Sequence, residues 1–156
     1  MMRERTPLRL VLDTNVWLDW LVFDDAGVIP LKAAVARGDA EIFIDDACAG
    51  ELTKVLAYPL RKQIPGVDVQ AACLAECGRI AQNITAQIAV DAAAAEPLPK
   101  CRDADDQKFL ELARACGADF LVTRDLLLLE LSRRKIRRAP FAIVTPAQLV
   151  PALGTR

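Results

Sequence analysis

Four short apolar runs without alternation constrain this chain more than any other feature: LRLVLD (8–13), EIFID (41–45), DFLVT (119–123) and FAIVT (141–145). A strand with one face in water alternates apolar and polar residues. These runs do not, which suits strands covered on both faces. Between them lie amphipathic stretches of helical length. Residues 14–22 read as a short helix, and VIPLKAAVARGD (28–39) as another, with Gly38 as its stop. DACAGELTKVLAY (46–58) is helical up to Pro59, and VDVQAACLAECGRIAQNI (67–84) is a longer helix. DDQKFLELARAC (105–116) closes at Gly117, DLLLLELSRRK (125–135) follows, and PAQLVPAL (146–153) begins with proline. TAQIAV (85–90) is a further short strand, and AAAAEPLPKCR (92–102) a linker. Strands alternating with helices imply parallel pairing, so the fold class is α/β, a three-layer α/β/α sandwich on a central parallel sheet. With 156 residues and no internal repeat, one domain over 1–156 is expected.

In open parallel sheets, sites form at the carboxyl ends of the strands. Asp13 closes the first strand, and Asp125 follows the strand ending at Thr123. Taken singly, each acid is explained as a helix cap. Two more acids come from helices. Glu51 falls on the apolar stripe of Cys48, Leu52, Val55 and Leu56 rather than opposite it. A charge there costs free energy unless paired, and the sequence offers no evident partner. Asp106 sits in the first turn before the stripe of Phe109, Leu110 and Ala113; capping and dipole stabilisation explain it equally well. Four carboxylates near one rim repel each other. The chain has no histidine and no C-x-x-C pair, so a hard divalent cation, Mg2+ or Mn2+, is the natural neutraliser. Such ions suit phosphate chemistry.

The missing histidines also exclude a Ser-His-Asp or Cys-His centre and the usual zinc hydrolases. The five cysteines, Cys48, Cys73, Cys77, Cys101 and Cys116, read as buried free thiols of a reducing compartment. The N-terminal stretch MMRERTPLRL lacks a signal-type apolar core, and no apolar run reaches the ~20 residues of a membrane span. A cytoplasmic protein is expected. The net charge of −1 advertises no polyanion partner, so any nucleic-acid surface must be local.

LVLDTNVWLDW (10–20), Glu51 within ACAGELTKVL, RDADDQKFLELARACGADFLVTRD (102–125) and FAIVTPAQLV (141–150) together resemble the PIN-domain family, over nearly the whole chain. The resemblance is closest to bacterial members described as toxins of toxin–antitoxin pairs. It implies a metal-dependent ribonuclease with strand order 3-2-1-4-5, acting on RNA, and an antitoxin as partner. Carried over to this chain, Asp13, Glu51, Asp106 and Asp125 match the acidic quartet. Asp13, Asp106 and Asp125 would touch the metal, and Glu51 would orient a metal-bound water. Thr14, Asn15 and Thr123 match polar positions that support the acids by hydrogen bonding, and Asp103 matches a capping or outer acid. One departure stands out. Relatives often carry V-T-G-D-x-D, whereas this chain has VTRDLLLLEL, with Arg124 for the glycine and Leu127 for the last acid. The departure gives weight to one strongly held ion, and to an alternative: a catalytically weak or inactive RNA-binding module.

SRRKIRR (132–138), with Arg133, Arg134 and Lys135, either lies along an RNA backbone or forms a solvated helix end. Arg124 either meets a phosphate or pairs with an acid of the quartet. Trp17 and Trp20 are better explained by packing than by base stacking. LLLLEL (126–131) is more apolar than one surface helix needs, which points to a partner or a second copy of the chain.

Overall fold

A computed structural model describes residues 6–86, 98–133 and 139–154. In chain order the elements are β1 (Leu8–Leu12), α1 (Thr14–Leu21), a 3-10 turn (Ala26–Val28), α2 (Ile29–Arg37), β2 (Ala40–Ile44), α3 (Asp46–Leu56), α4 (Val67–Ile80) and β3 (Ala81–Asn83). A second 3-10 turn (Ala104–Asp106), α5 (Gln107–Ala115), β4 (Phe120–Val122), α6 (Leu126–Leu131), β5 (Ala142–Val144) and α7 (Pro146–Gly154) complete them. The sheet order is β3-β2-β1-β4-β5, and every pairing is parallel. Leu10 of β1 stands opposite both Ile42 of β2 and Phe120 of β4. The chain builds outward from β1 through β2 to β3, then returns to the other side of β1 for β4 and β5. The switch point of this topology therefore lies between the carboxyl ends of β1 and β4.

The apolar runs do what their lack of alternation requires. Successive residues Leu10, Val11 and Leu12 are all buried, as are Ile42, Phe43 and Ile44, so both faces are covered. On burial arithmetic each such leucine or isoleucine contributes roughly 1.5–3 kcal/mol. α2 packs on β2 and against α7, which reaches β5. α5 packs on β1 and β4 and touches α3, which in turn meets α1 and α4. Trp17 and Phe109 are the largest fully buried side chains, and the core is continuous. Gly38 stops α2 in the left-handed region, at φ 80°, where a residue with a β-carbon is strained.

The structure departs from the sequence reading at several places; the helix expected over 125–135, for one, is Leu126–Leu131, with Ser132 and Arg133 in a turn. The third strand is Ala81–Asn83, not 85–90. α4 ends at Ile80 and the chain passes directly into β3, whose Ala81 and Asn83 pair with Ile42 and Ile44. As an edge strand it exposes Gln82 and Asn83, so it shows no apolar run; its place is set by backbone bonding to β2. Thr85 and Ala86 are helical, and the rest of the expected strand lies outside the described residues. α3 ends at Leu56, short of Pro59. In LLLLEL, Leu128 and Leu131 are buried and Leu127 and Leu129 pack against the core. Only Leu126, 80% exposed, stands out from that run, so the chain's own core accounts for most of its apolarity. All five cysteines are buried and free. Among the described residues, no helix is long and apolar enough to cross a membrane.

Candidate functional site

Asp13 leaves the end of β1 at the switch point, its own N–H bonded to the Val122 carbonyl at 2.9 Å. Its backbone carbonyl opens α1 by accepting from Val16 and Trp17, but its carboxylate makes no capping bond. The capping explanation therefore fails for the Asp13 side chain. That carboxylate is buried, 4% exposed as a residue, and accepts from Thr123 Oγ1 at 2.7 Å. Burial pushes its pKa up, Thr123 and the Thr14 N–H oppose the shift, and the charges of Asp125 and Glu51 reinforce it.

Thr123 is fully buried at the end of β4 and serves two acids at once. Besides donating to Asp13, its hydroxyl accepts from the Asp125 N–H at 2.9 Å. Asp125 then caps α6, one oxygen accepting from Leu127 N at 2.8 Å. Asp106 ends the second 3-10 turn and enters α5, again with no capping bond from its side chain. Its Oδ2 is buried without a hydrogen-bond partner, an expensive state for a carboxylate oxygen. Burial, then the charges of Asp125, Asp13 and Asp103, push its pKa up to about 7. The Asp125 carboxylate, close enough to act on Asp106 by both charge and hydrogen bonding, adds to that upward push. Three aspartates from distant parts of the chain thus act on one another at one rim of the sheet.

Glu51 is coupled to Asp13 but is held differently. One oxygen takes an ion pair from Lys108 Nζ at 2.8 Å, and the other accepts from Thr14 Oγ1. Lys108 is the partner that the sequence did not reveal. It belongs to α5, which packs against α3, and only that packing brings it to Glu51. Asp103 caps the 3-10 turn through Asp105 N at 3.0 Å while its charge acts on Asp106. The Asn15 side chain is exposed and makes no hydrogen bond among the described residues.

Arg124 meets neither the quartet nor open solvent alone. Nη1 lies 2.8 Å from Asp19 Oδ2, and Nη2 lies 3.4 Å from Asp25 Oδ1. Gly27 makes room for it, since a β-carbon there would stand 2.8 Å from Nη2. Asp19, buried on α1, has its pKa raised by burial and held back by Arg124. This acid was missed in the sequence; its signal was a carboxylate set among Leu18, Trp20 and Leu21. Arg133 is exposed, and Arg134 and Lys135 lie outside the described residues. Trp17 is buried and packs its ring 6.1 Å from that of Trp20.

The donors suit a hard divalent cation: oxygen ligands, one buried oxygen without a partner, and carboxyl groups that repel until one takes a proton. Among the described residues no three His, Cys, Asp or Glu side chains already stand as a metal-holding group. The cause lies in the bonds just described. Asp13 is turned to Thr123, Asp125 to the α6 N-terminus and Glu51 to Lys108, while Asp106 Oδ2 is left without a partner. Among the described residues, the four acids line none of the larger clefts, such as the ≈ 450 Å³ one lined by Val22, Phe23, Leu60 and Ile64. A rim site suits a polymer better than a small apolar ligand.

A family model described as PIN domain matches residues 9–127. No curated protein matches the sequence. A solved structure, VapBC2 from Rickettsia felis bound to a DNA fragment from their promoter, contains a chain similar in fold. The TM-score is 0.56 at 13% identity, covering 88% of this chain and 98% of that one.

Proposed function

We propose, from the premise that this chain belongs to the PIN-domain family, that it is a Mg2+- or Mn2+-dependent endoribonuclease, one domain over residues 1–156. In this reading it is the toxin of a toxin–antitoxin pair and acts in the cytoplasm on RNA. The observation that carries it is the convergence of Asp13, Asp106 and Asp125 at the switch point, with the buried Asp106 Oδ2 lacking a partner. A purely structural acid has its buried oxygens capped or paired; Asp106 Oδ2 is neither.

Asp13, Asp106 and Asp125 would hold the cation. When bound, it supplies Lewis acidity toward the phosphoryl oxygens and neutralises charge that builds on them. The chain's own groups do the positioning. Thr123 fixes the rotamer of Asp13 and ties Asp125 to the same strand end. Thr14 and Lys108 hold Glu51 at the edge of the rim, where its carboxylate orients the attacking water. Asp106 releases its proton to enter the charged state. Asp103 shapes the turn that presents Asp106. Arg133, with Arg134 and Lys135, offers cations to the RNA backbone.

The test compares cleavage of single-stranded and structured RNA by the wild type, Asp13→Asn and Asp106→Asn, with Mn2+ and with EDTA. Each substitution should lower the rate at least ~100-fold, close to 3 kcal/mol of transition-state stabilisation. Cleavage indifferent to both substitutions and to EDTA eliminates the reading. RNA binding without turnover in any metal favours the binding-module alternative instead, for which Leu127 in place of an acid is the reason. Growth arrest on expression, relieved by a neighbouring gene product, tests the toxin assignment.

A further inference from the structure

Glu51 stands apart from the other three acids because both of its oxygens are occupied. Lys108 Nζ lies 2.8 Å from Oε1, and Thr14 Oγ1 bonds Oε2. The Lys108 and Glu51 side chains are 26% and 21% exposed, too sheltered for a screened surface pair. Lys108 is two residues beyond Asp106 in the chain, and α5 packs on α3, so the lysine is anchored in the same packing that forms the rim.

Charge arithmetic gives this pair a meaning. Ionised Asp13, Glu51, Asp106 and Asp125 carry −4, and Lys108 brings this to −3. One divalent ion among the three aspartates leaves −1. A second divalent ion next to Asp13 would draw on Glu51, since Asp103 is engaged in its own turn, and the Glu51 carboxylate already holds a cation. Binding there would require expelling Lys108 and leaving its ammonium beside two metal ions.

We propose that Lys108 is the site's resident second cation: it keeps Glu51 neutralised and restricts the site to one divalent ion at Asp13, Asp106 and Asp125. Lys108 is thus a positioning residue, acting through Glu51. The inference rests on the metal-dependent reading above, and the buried, unpartnered Asp106 Oδ2 is the independent sign of where that ion sits.

Mn2+ alone, titrated into the full chain by calorimetry and by electron paramagnetic resonance, tests it without RNA or turnover. The wild type should bind one Mn2+ per chain. Lys108→Met and Lys108→Gln should each gain a second equivalent at least tenfold weaker than the first. Lys108→Arg should restore a single equivalent, and Lys108→Met combined with Glu51→Gln should bind one again. Two equivalents on the wild type, or one on Lys108→Met and Lys108→Gln, overturns the proposal while the nuclease reading stands. No Mn2+ on any form overturns both. Circular dichroism checks the fold of each variant; should Lys108→Met and Lys108→Gln fail to fold, Lys108→Ala, which removes the same charge, takes their place with the same expected second equivalent.

Discussion

Asp106→Asn should make the metal-free protein more stable while ending its response to metal. The Asp106 carboxyl is 9% exposed and is raised from an ordinary 3.8 to about 7 by burial and by Asp125, Asp13 and Asp103. Because the folded pKa exceeds the unfolded one, the native state binds more protons between about pH 4 and pH 7. Stability due to this group is therefore present at low pH and lost as pH rises through that window. The full difference sets a ceiling of ~4 kcal/mol at pH 8. Solvent screening at the rim reduces it to about 1–2 kcal/mol. The new amide carries no charge and can donate permanently to Asp125. At about 2–4 °C per kcal/mol for a chain this long, the melting temperature in EDTA at pH 8 should rise about 2–8 °C. The gain should shrink as the pH falls from 7 toward 4. Mn2+ reverses the ranking: at a hundredfold excess over Kd the wild type gains ~2.7 kcal/mol and the variant little. Differential scanning calorimetry at several pH values, in EDTA and in Mn2+, reads all of this. A variant that melts below the wild type at pH 8 in EDTA, with the same pH dependence, refutes the reasoning.

Thr123→Val removes the donor to Asp13 and the acceptor for Asp125 N from a fully buried position, and should cost about 2–4 kcal/mol; an unshifted urea midpoint contradicts this. Arg124→Met strips Asp19 of its cation and should destabilise by about 1–3 kcal/mol, partly restored by adding Asp19→Asn. A loss of RNA affinity with no loss of stability would instead make Arg124 an RNA contact. Leu110→Ala opens a cavity at a fully buried position, costing about 2–5 kcal/mol by chemical denaturation.

The fold was legible in particular stretches. LVL, IFI and FLV announced strands covered on both faces, and Leu10, Ile42 and Leu121 lie in the middle of the sheet. Gly38 and Pro146 marked helix ends because their backbone restrictions are local properties of the residue. β3 was misplaced because Ala81-Gln82-Asn83 owes its strand state to hydrogen bonds from β2. The acids were visible at the strand ends, but a lone acid there reads equally as a cap. The coordinates divide them: Asp125 and Asp103 do cap, while the side chains of Asp13 and Asp106 do not.

By itself, then, the sequence determined the central strands, most of the helices and which carboxylates stand at the ends of those strands, since apolar period, glycine and proline act over a few neighbouring residues. Tertiary structure alone decided the company each charge keeps: Asp106 with Asp125, Glu51 with Lys108, Asp19 with Arg124. Coulomb energy and desolvation depend on distances of a few ångströms between groups far apart in the chain, and those distances exist only once the helices have packed on the sheet.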